Sequence, residues 1–124
     1  MTVLLDTHVI LWWQTDDRRL MGEAREAIAT ADLVLVSAVS GWEMAIKSGL
    51  GRLKIREPFA ALLAADDFTE LPMTLTHSER LTRLPAVHSD PFDRMLIAQA
   101  LTERAAFITH DRKLAPYGMN VIWT

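Results

Sequence analysis

The sequence contains no cysteine, which excludes disulfide bonds, thiolate zinc sites and a cysteine nucleophile. None of its apolar runs approaches the roughly 20 residues that a membrane-spanning helix requires. The apolar N-terminal stretch is broken by Asp6, Thr7 and His8, and it lacks the basic leader of a signal peptide. We therefore expect a protein of the reducing cytoplasm with no membrane partner.

An excess of basic charge is also missing. The chain carries 13 Lys and Arg against 16 Asp and Glu, a net charge of −3. That balance argues against a generally basic nucleic-acid binder but leaves room for a local basic patch. With 124 residues, half of them apolar, the chain is predicted to form a single domain over residues 1–124.

Short, continuously apolar runs recur along the chain, as is typical of strands that are covered on both faces. The predicted strands are 3–5, 33–36, 68–71, 106–109 and 120–123. Helical patterns separate them at 19–31, 38–50, 58–65, 76–84 and 92–105. This alternation predicts an α/β fold with right-handed crossovers and a parallel sheet.

Two acidic residues follow predicted strands directly or closely. Asp6 ends the first strand, and Asp111 lies just past the strand 106–109. In an open parallel sheet the carboxyl ends of the strands form the ligand-binding edge, so both residues should face that edge. Each could equally serve only as the cap of the helix that follows it.

Glu43 is predicted to lie within the apolar stripe of its helix. At helical spacing it shares a face with three apolar residues, Val39, Ile46 and Leu50. An ionised carboxylate there is costly unless it is paired or bound to a metal. Two structural alternatives remain open: a capping box that starts at Ser40, and an ion pair with Lys47, which could also orient a functional Glu43.

Asp93 has the same character on the last long helix. Ile97 and Ala100 lie four and seven residues further on, so Asp93 shares the face turned toward the sheet. Asp90 followed by Pro91 is typical of a helix start, with Asp90 as the N-cap. We favour Asp90 as the cap and Asp93 as the functional group, although Asp93 could merely stabilise the helix dipole.

Several carboxylates at one sheet edge repel each other unless protons or a cation offset their charge. Ligands that are all oxygen atoms suit Mg²⁺ or Mn²⁺. Carboxylate-bound Mg²⁺ that also holds phosphate oxygens is the usual arrangement for cleaving phosphodiesters. The candidate catalytic and metal-binding residues are therefore Asp6, Glu43, Asp93 and Asp111.

Basic residues offer a path for a polyanionic substrate. Lys47, Arg52, Lys54 and Arg56 cluster without an acid until Glu57, and the cluster could grip a nucleic-acid backbone. Any one of these side chains could instead serve only solubility.

The histidines and the paired tryptophans suggest less. No histidine has a recognised zinc spacing, and His88 is assigned to the turn before the last long helix instead of to a metal. Trp12 and Trp13 are interpreted as packing or interface residues. If these two side chains are exposed, they add to the apolar surface of the protein, and exposed aromatic patches mark interfaces. They therefore favour a homodimer.

Four ordered motifs resemble those of PIN domains. They are residues 3–8 (VLLDTH), 42–47 (WEMAIK), 88–100 (HSDPFDRMLIAQA) and 109–111 (THD). The match spans nearly the whole chain, and the subgroup it resembles is the short VapC-type toxin of toxin–antitoxin modules. The resemblance implies a three-layer α/β/α sandwich with a parallel sheet of order 3-2-1-4-5. It also implies a Mg²⁺- or Mn²⁺-dependent endoribonuclease that acts on RNA, forms a homodimer and is inhibited by a cognate antitoxin.

By motif position, the resemblance assigns the four acidic roles to Asp6, Glu43, Asp93 and Asp111. Asp90 is an additional acid of the subgroup. Four residues are candidates for secondary contacts to the site or the substrate: Asp90, Arg94, Thr109 and Lys47.

Other acidic α/β domains fit less well. A phosphoacceptor receiver domain needs paired acids after its first strand and a lysine after its last, and a haloacid-dehalogenase-type phosphatase needs Asp-x-Asp where this chain has His8 in the second place. A PIN-like module that only binds RNA or protein is the remaining alternative. The usual mark of such a module is a lost acid, and none is lost here.

Overall fold

A computed structural model describes residues 1–124. Its elements in chain order are β1 (Thr2–Leu5), α1 (Thr7–Gln14), α2 (Gly22–Thr30), β2 (Leu33–Ser37), α3 (Ala38–Gly49), α4 (Phe59–Ala65), β3 (Thr69–Leu71), α5 (Leu75–Leu81), α6 (Pro91–Glu103), β4 (Ala106–Thr109), a 3-10 helix (Arg112–Tyr117) and β5 (Val121–Trp123). None of the helices combines the length and the apolar character that crossing a membrane requires.

The five strands form one sheet of order β3-β2-β1-β4-β5, and every neighbouring pair is parallel. Val3 of the central strand lies beside Val34 on one side and Ala106 on the other. The predicted α/β class and strand order are thereby confirmed. The chain leaves β1 toward one edge and later returns to its other side, so the strand order reverses next to β1. That reversal creates the crevice in which such sheets bind ligands.

Alternation along β1 divides the apolar residues between two cores. Val3 and Leu5 point toward α1 and α2, whereas Leu4 points toward α3 and α6. Helices therefore cover both faces of the sheet, which is the predicted three-layer arrangement. Because the strands are buried on both faces, their sequences are continuously apolar instead of alternating.

One helix was not predicted as an element, and another begins later than predicted. α1 follows β1 at once, with Asp6 as its N-cap. The helix predicted from residue 19 begins at Gly22 because the preceding residues form a turn, in which Asp16 has a φ of 51°. Trp12 is buried in the core and Trp13 packs at its margin, so using these two residues as exposed apolar surface was wrong.

A buried hydrogen-bond network joins α3 to α6 at the carboxyl end of β2. The Ser37 hydroxyl caps α3 by accepting from the Val39 amide at 3.0 Å. It also donates to Gln99 Oε1 at 2.5 Å, and Gln99 is fully buried on α6. The helices that carry Glu43 and Asp93 are thus held in one relative position.

Candidate active site

Asp6 is at once a helix cap and a site carboxylate. Its Oδ1 accepts from the Thr7 amide at 2.7 Å, and its Oδ2 accepts from the Thr109 hydroxyl at 2.6 Å. Burial raises the pKa of Asp6 above its usual value, although these hydrogen bonds oppose the shift and the charge of Glu43 adds to it. Asp6 is therefore the cap of α1, and its carboxylate lies at the sheet edge.

Glu43 is buried on α3 and reaches the same edge. Its Oε1 accepts from the Thr7 hydroxyl at 2.8 Å, and its Oε2 accepts from Lys47 Nζ at 2.8 Å. The ion pair with Lys47 is therefore confirmed. The Thr7 hydroxyl was missed by the sequence analysis; it connects Glu43 to the residue that directly follows Asp6.

The structure excludes one alternative for Glu43 and corrects its apolar neighbours. α3 begins at the predicted Ala38 with Ser37 as its N-cap, so no capping box starts at Ser40. Ile46 and Leu50 are 39% and 63% exposed and do not share a buried face with Glu43. The buried residues of α3 are instead Val39, Ser40, Glu43 and Met44.

Asp93 and Asp90 divide their tasks as predicted for the helix start. Asp90 Oδ1 accepts from the amides of Phe92 at 2.8 Å and Asp93 at 3.1 Å, which makes Asp90 the N-cap of α6. The Asp93 carboxylate is left free of capping and lies 2.9 Å from His88 Nε2. Burial raises the pKa of Asp93 to about 6, against the lowering effect of the His88 hydrogen bond.

Asp111 caps the 3-10 helix through its Oδ1, which accepts from the Lys113 amide at 3.0 Å. Its own amide donates to Thr109 Oγ1 at 3.1 Å. Because the same hydroxyl donates to Asp6, Thr109 links the acids at the ends of β1 and β4.

Two of the acids converge with a histidine closely enough for the three side chains to share one cation. Oxygen or nitrogen atoms of His88, Asp93 and Asp111 all lie within 4.8 Å of one another. Asp6 and Glu43 lie beside this group, and the charge of Asp6 contributes to the raised pKa of Asp93. The catalytic and metal-binding roles of the four acids remain predictions, but the fold brings all four to one sheet edge.

His88 is the site neighbour that sequence reasoning missed. It lies in the turn before α6, as assigned, but its ring contacts Asp93. Arg94 holds this turn, since Nη1 donates to the Pro85 carbonyl at 2.9 Å and to the Tyr117 hydroxyl at 3.4 Å. Arg94 thus supports the loop that carries His88. These contacts account for Arg94 without a direct contact to the substrate. The available sequence indication was the five-residue spacing between His88 and Asp93.

The buried Asp93 carboxylate should make the protein less stable when no cation is bound, and the nearby charge of Asp6 adds to this effect. Because the pKa of Asp93 is raised to about 6, the folded chain holds this proton more tightly than the unfolded chain does. The cost of ionising Asp93 is therefore complete above pH 6 and disappears as the pH falls below about 4.

We expect Asp93→Asn to raise the free energy of unfolding in EDTA at pH 8 by about 1–2 kcal/mol, a figure reduced for solvent screening. The gain should vanish at pH 4. Urea unfolding of both proteins at the two pH values measures it. A variant no more stable than the parent at pH 8 would contradict the cost assigned to ionising the buried Asp93.

Comparisons with known proteins agree on one family. The family model for the PIN domain matches residues 3–118. Ribonuclease VapC22 of Mycobacterium tuberculosis is 33% identical over 116 residues, which cover 91% of this chain and 89% of the relative.

Solved structures share the fold at low sequence identity. VapBC2 from Rickettsia felis, bound to a DNA fragment from its promoter, superposes with a TM-score of 0.74 at 14% identity, over 98% of each chain. A toxin–antitoxin complex from Klebsiella pneumoniae gives a TM-score of 0.65 at 22% identity, over 97% of this chain and 95% of the other.

Proposed function

Because this chain belongs to the PIN domain family, we propose that it is a VapC-type toxin that cleaves RNA internally with Mg²⁺ or Mn²⁺. The observation that carries the proposal is the convergence of Asp93 and Asp111 with His88 at the carboxyl edge of the sheet. Asp6 and Glu43 lie at the same edge, where Asp6 accepts from Thr109 and Glu43 accepts from Thr7. The relative from Mycobacterium tuberculosis is a ribonuclease by name, which supports the same activity. Cleavage of RNA by the purified protein in Mg²⁺, and its loss in EDTA, tests the proposal.

The donor set fits a hard divalent cation. The four acids offer only oxygen atoms, and burial raises the pKa values of Asp6 and Asp93, so a bound cation would offset negative charge that burial makes costly. When bound, Mg²⁺ or Mn²⁺ polarises water and offsets the charge of the reacting phosphate. Asp93 and Asp111, whose oxygen atoms converge with the His88 ring, would hold the ion, and Asp6 and Glu43 would add negative charge beside it.

The remaining contacts orient these acids. Thr109 donates to Asp6, and Lys47 donates to Glu43, so a hydrogen bond fixes the direction of each carboxylate. His88 does the same for Asp93. The protein thereby holds negative charge in fixed positions at one edge of the sheet. Because these groups are already oriented, few side chains need to move when the cation and the substrate bind.

We expect the partner of this toxin in the cytoplasm to be a cognate antitoxin. An apolar groove of about 360 Å³ lies between α1, α3 and α4, with Met44, Trp42 and Phe59 among its lining residues. Met44 directly follows Glu43 in the chain. A peptide with apolar side chains in this groove could extend a basic side chain to the acidic edge and replace the charge of the cation.

A homodimer remains part of the proposal, but on a different surface from Trp12 and Trp13. Trp42 and Ile46 on α3 and Leu50 at its C-cap recur every four residues and are 59%, 39% and 63% exposed. They form an apolar stripe of the kind that marks interfaces.

We expect a dimer at micromolar concentration in sedimentation velocity, and we expect Leu50→Lys to shift it to monomer. Lysine at the end of α3 suits the helix dipole, so the fold should survive. Leu75→Lys is the matched control, because Leu75 is 87% exposed on α5. A monomeric parent, or equal effects of both substitutions, would argue against this stripe as the interface.

A further inference from the structure

A cluster of rings lies next to the acids and is not used by the proposed chemistry. The His8 ring stacks on Trp12 at a centroid distance of 5.9 Å and an angle of 19°. The Arg19 guanidinium lies 4.8 Å from the Trp12 ring centre, and the His110 ring meets Trp12 edge-on at 5.4 Å. These neighbours bury Trp12, while His8 itself is exposed. One face of an imidazole ring is thus fixed by stacking and the other is open.

This cluster borders the acidic edge by its place in the chain. His8 is two residues beyond Asp6, in the first turn of α1, and His110 directly precedes Asp111. A ligand that contacts His8 therefore lies beside the acids at the ends of β1 and β4.

A groove of about 770 Å³ runs from His8 along α1 to the segment 53–57. Arg19 lines it but is already paired with Asp17, at 3.0 Å from Nε and 2.7 Å from Nη2. Lys54 and Arg56 also line it, and neither takes part in any of the seven ion pairs of the protein. Glu57 lines the groove as well and is also unpaired, so the groove carries two unpaired cations against one unpaired carboxylate.

The segment that carries Lys54 and Arg56 lies outside every helix and strand. Leu53 and Ile55 are half-buried, whereas Lys54 and Arg56 are exposed. This alternation anchors the segment on its apolar side and turns both cations outward. The backbone amides of residues 53–57 donate to no other backbone group.

We propose that this groove binds the single-stranded RNA next to the cleaved phosphate, with one base stacked on His8 and backbone phosphates on Lys54 and Arg56. The inference rests on the proposed function, because it takes RNA to be the substrate at the acidic edge. Every base has a face that can stack, and phosphates attract unpaired cations, so this combination suits a single strand. Met44 and Phe59 also line the apolar groove proposed for the antitoxin, so the two grooves adjoin. An antitoxin segment that carries a basic side chain to the acids would be repelled from this groove by Lys54 and Arg56.

The test is RNA binding without cleavage. Fluorescence anisotropy of a labelled 12-nucleotide single-stranded RNA is measured with Asp93→Asn protein in EDTA at pH 8, over a range of salt concentrations. Adding His8→Ala should raise Kd about tenfold with the salt dependence unchanged, because stacking involves no counterion release. Adding His8→Phe should restore the affinity, since phenylalanine also stacks.

Adding Arg56→Gln should raise Kd and reduce the slope of log K against log salt by about 0.7, the value for one phosphate contact on a single strand. Arg83→Gln is the matched control, because Arg83 lies beyond α5 among the residues that line a separate pocket, together with Leu101 and Thr102 of α6. It should leave Kd and slope unchanged.

The outcomes separate the two proposals. If the protein binds and the intact enzyme cuts RNA, but His8→Ala and Arg56→Gln behave like Arg83→Gln, the groove inference is overturned and the ribonuclease proposal stands. If these substitutions weaken only the binding of purified antitoxin, the groove is a protein site and the inference is again overturned. If the protein neither binds nor cuts RNA, both proposals fail.

Discussion

Replacing Asp6 or Asp93 with asparagine is expected to lower RNA cleavage by about a thousandfold or more, which corresponds to roughly 4 kcal/mol of transition-state stabilisation. Each substitution removes one negative charge from the acidic edge and keeps the shape of the side chain. A divalent cation at that edge depends on the number and charge of its oxygen ligands. The loss should therefore appear in the chemical step and in the metal concentration that activity requires.

The fold should survive both substitutions for reasons that are local. Asparagine is as good an N-cap as aspartate, so Asp6→Asn can still accept from the Thr7 amide. Asp93→Asn keeps an oxygen that can accept from His88. Capping of α6 is unaffected, because that role belongs to Asp90.

The measurement is the initial rate of cleavage of a labelled RNA, with circular dichroism and thermal unfolding to verify the fold. Asp66→Asn is the matched control, because Asp66 is an exposed residue at the end of α4, away from the acidic edge. The control should keep full activity. Full activity in both Asp6→Asn and Asp93→Asn would refute the assignment of these acids to the active site.

Cleavage is also expected to leave a 5′-phosphate and a 3′-hydroxyl, to stop in EDTA, and to return with Mg²⁺ or Mn²⁺ but not with Ca²⁺. A carboxylate site of this kind supports in-line attack by water with departure of the 3′-oxygen. Ca²⁺ is larger and takes 6–8 ligands in flexible geometry, so it would occupy the edge without the required octahedral order. Ligation of the purified products, with and without phosphatase treatment, identifies the ends.

A different mechanism would leave a different end. A metal-free ribonuclease uses the 2′-hydroxyl of the RNA with a general acid and a general base, and it leaves a cyclic phosphate. His8 and His110 both contact Trp12 beside the acids and are the side chains that such chemistry would use here. Products that end in a cyclic phosphate, formed even in EDTA, would indicate that these histidines catalyse the cleavage. RNA that is bound but not cut with any of the cations would favour the non-catalytic PIN-like module.

Much of the scaffold was determined by patterns that are local in the chain. Continuous apolar strands alternating with amphipathic helices specify a parallel sheet covered on both faces, because only burial on both sides removes the need for polar positions. Asp6 and Asp111 follow two strands of that sheet, and parallel strands end at one edge. The sequence alone therefore predicted that these two acids lie at one edge. It also predicted that Asp90 is the N-cap of its helix and that Asp93 is not.

What only the tertiary structure decided depends on contacts between distant residues. Ile46 and Leu50 share a helix with Glu43, yet they are exposed, because helical periodicity does not tell which part of a helix meets the sheet. The link from Thr7 to Glu43 spans 36 residues. No local pattern encodes such a contact, since it arises only when two helices pack at a particular angle and height over the sheet.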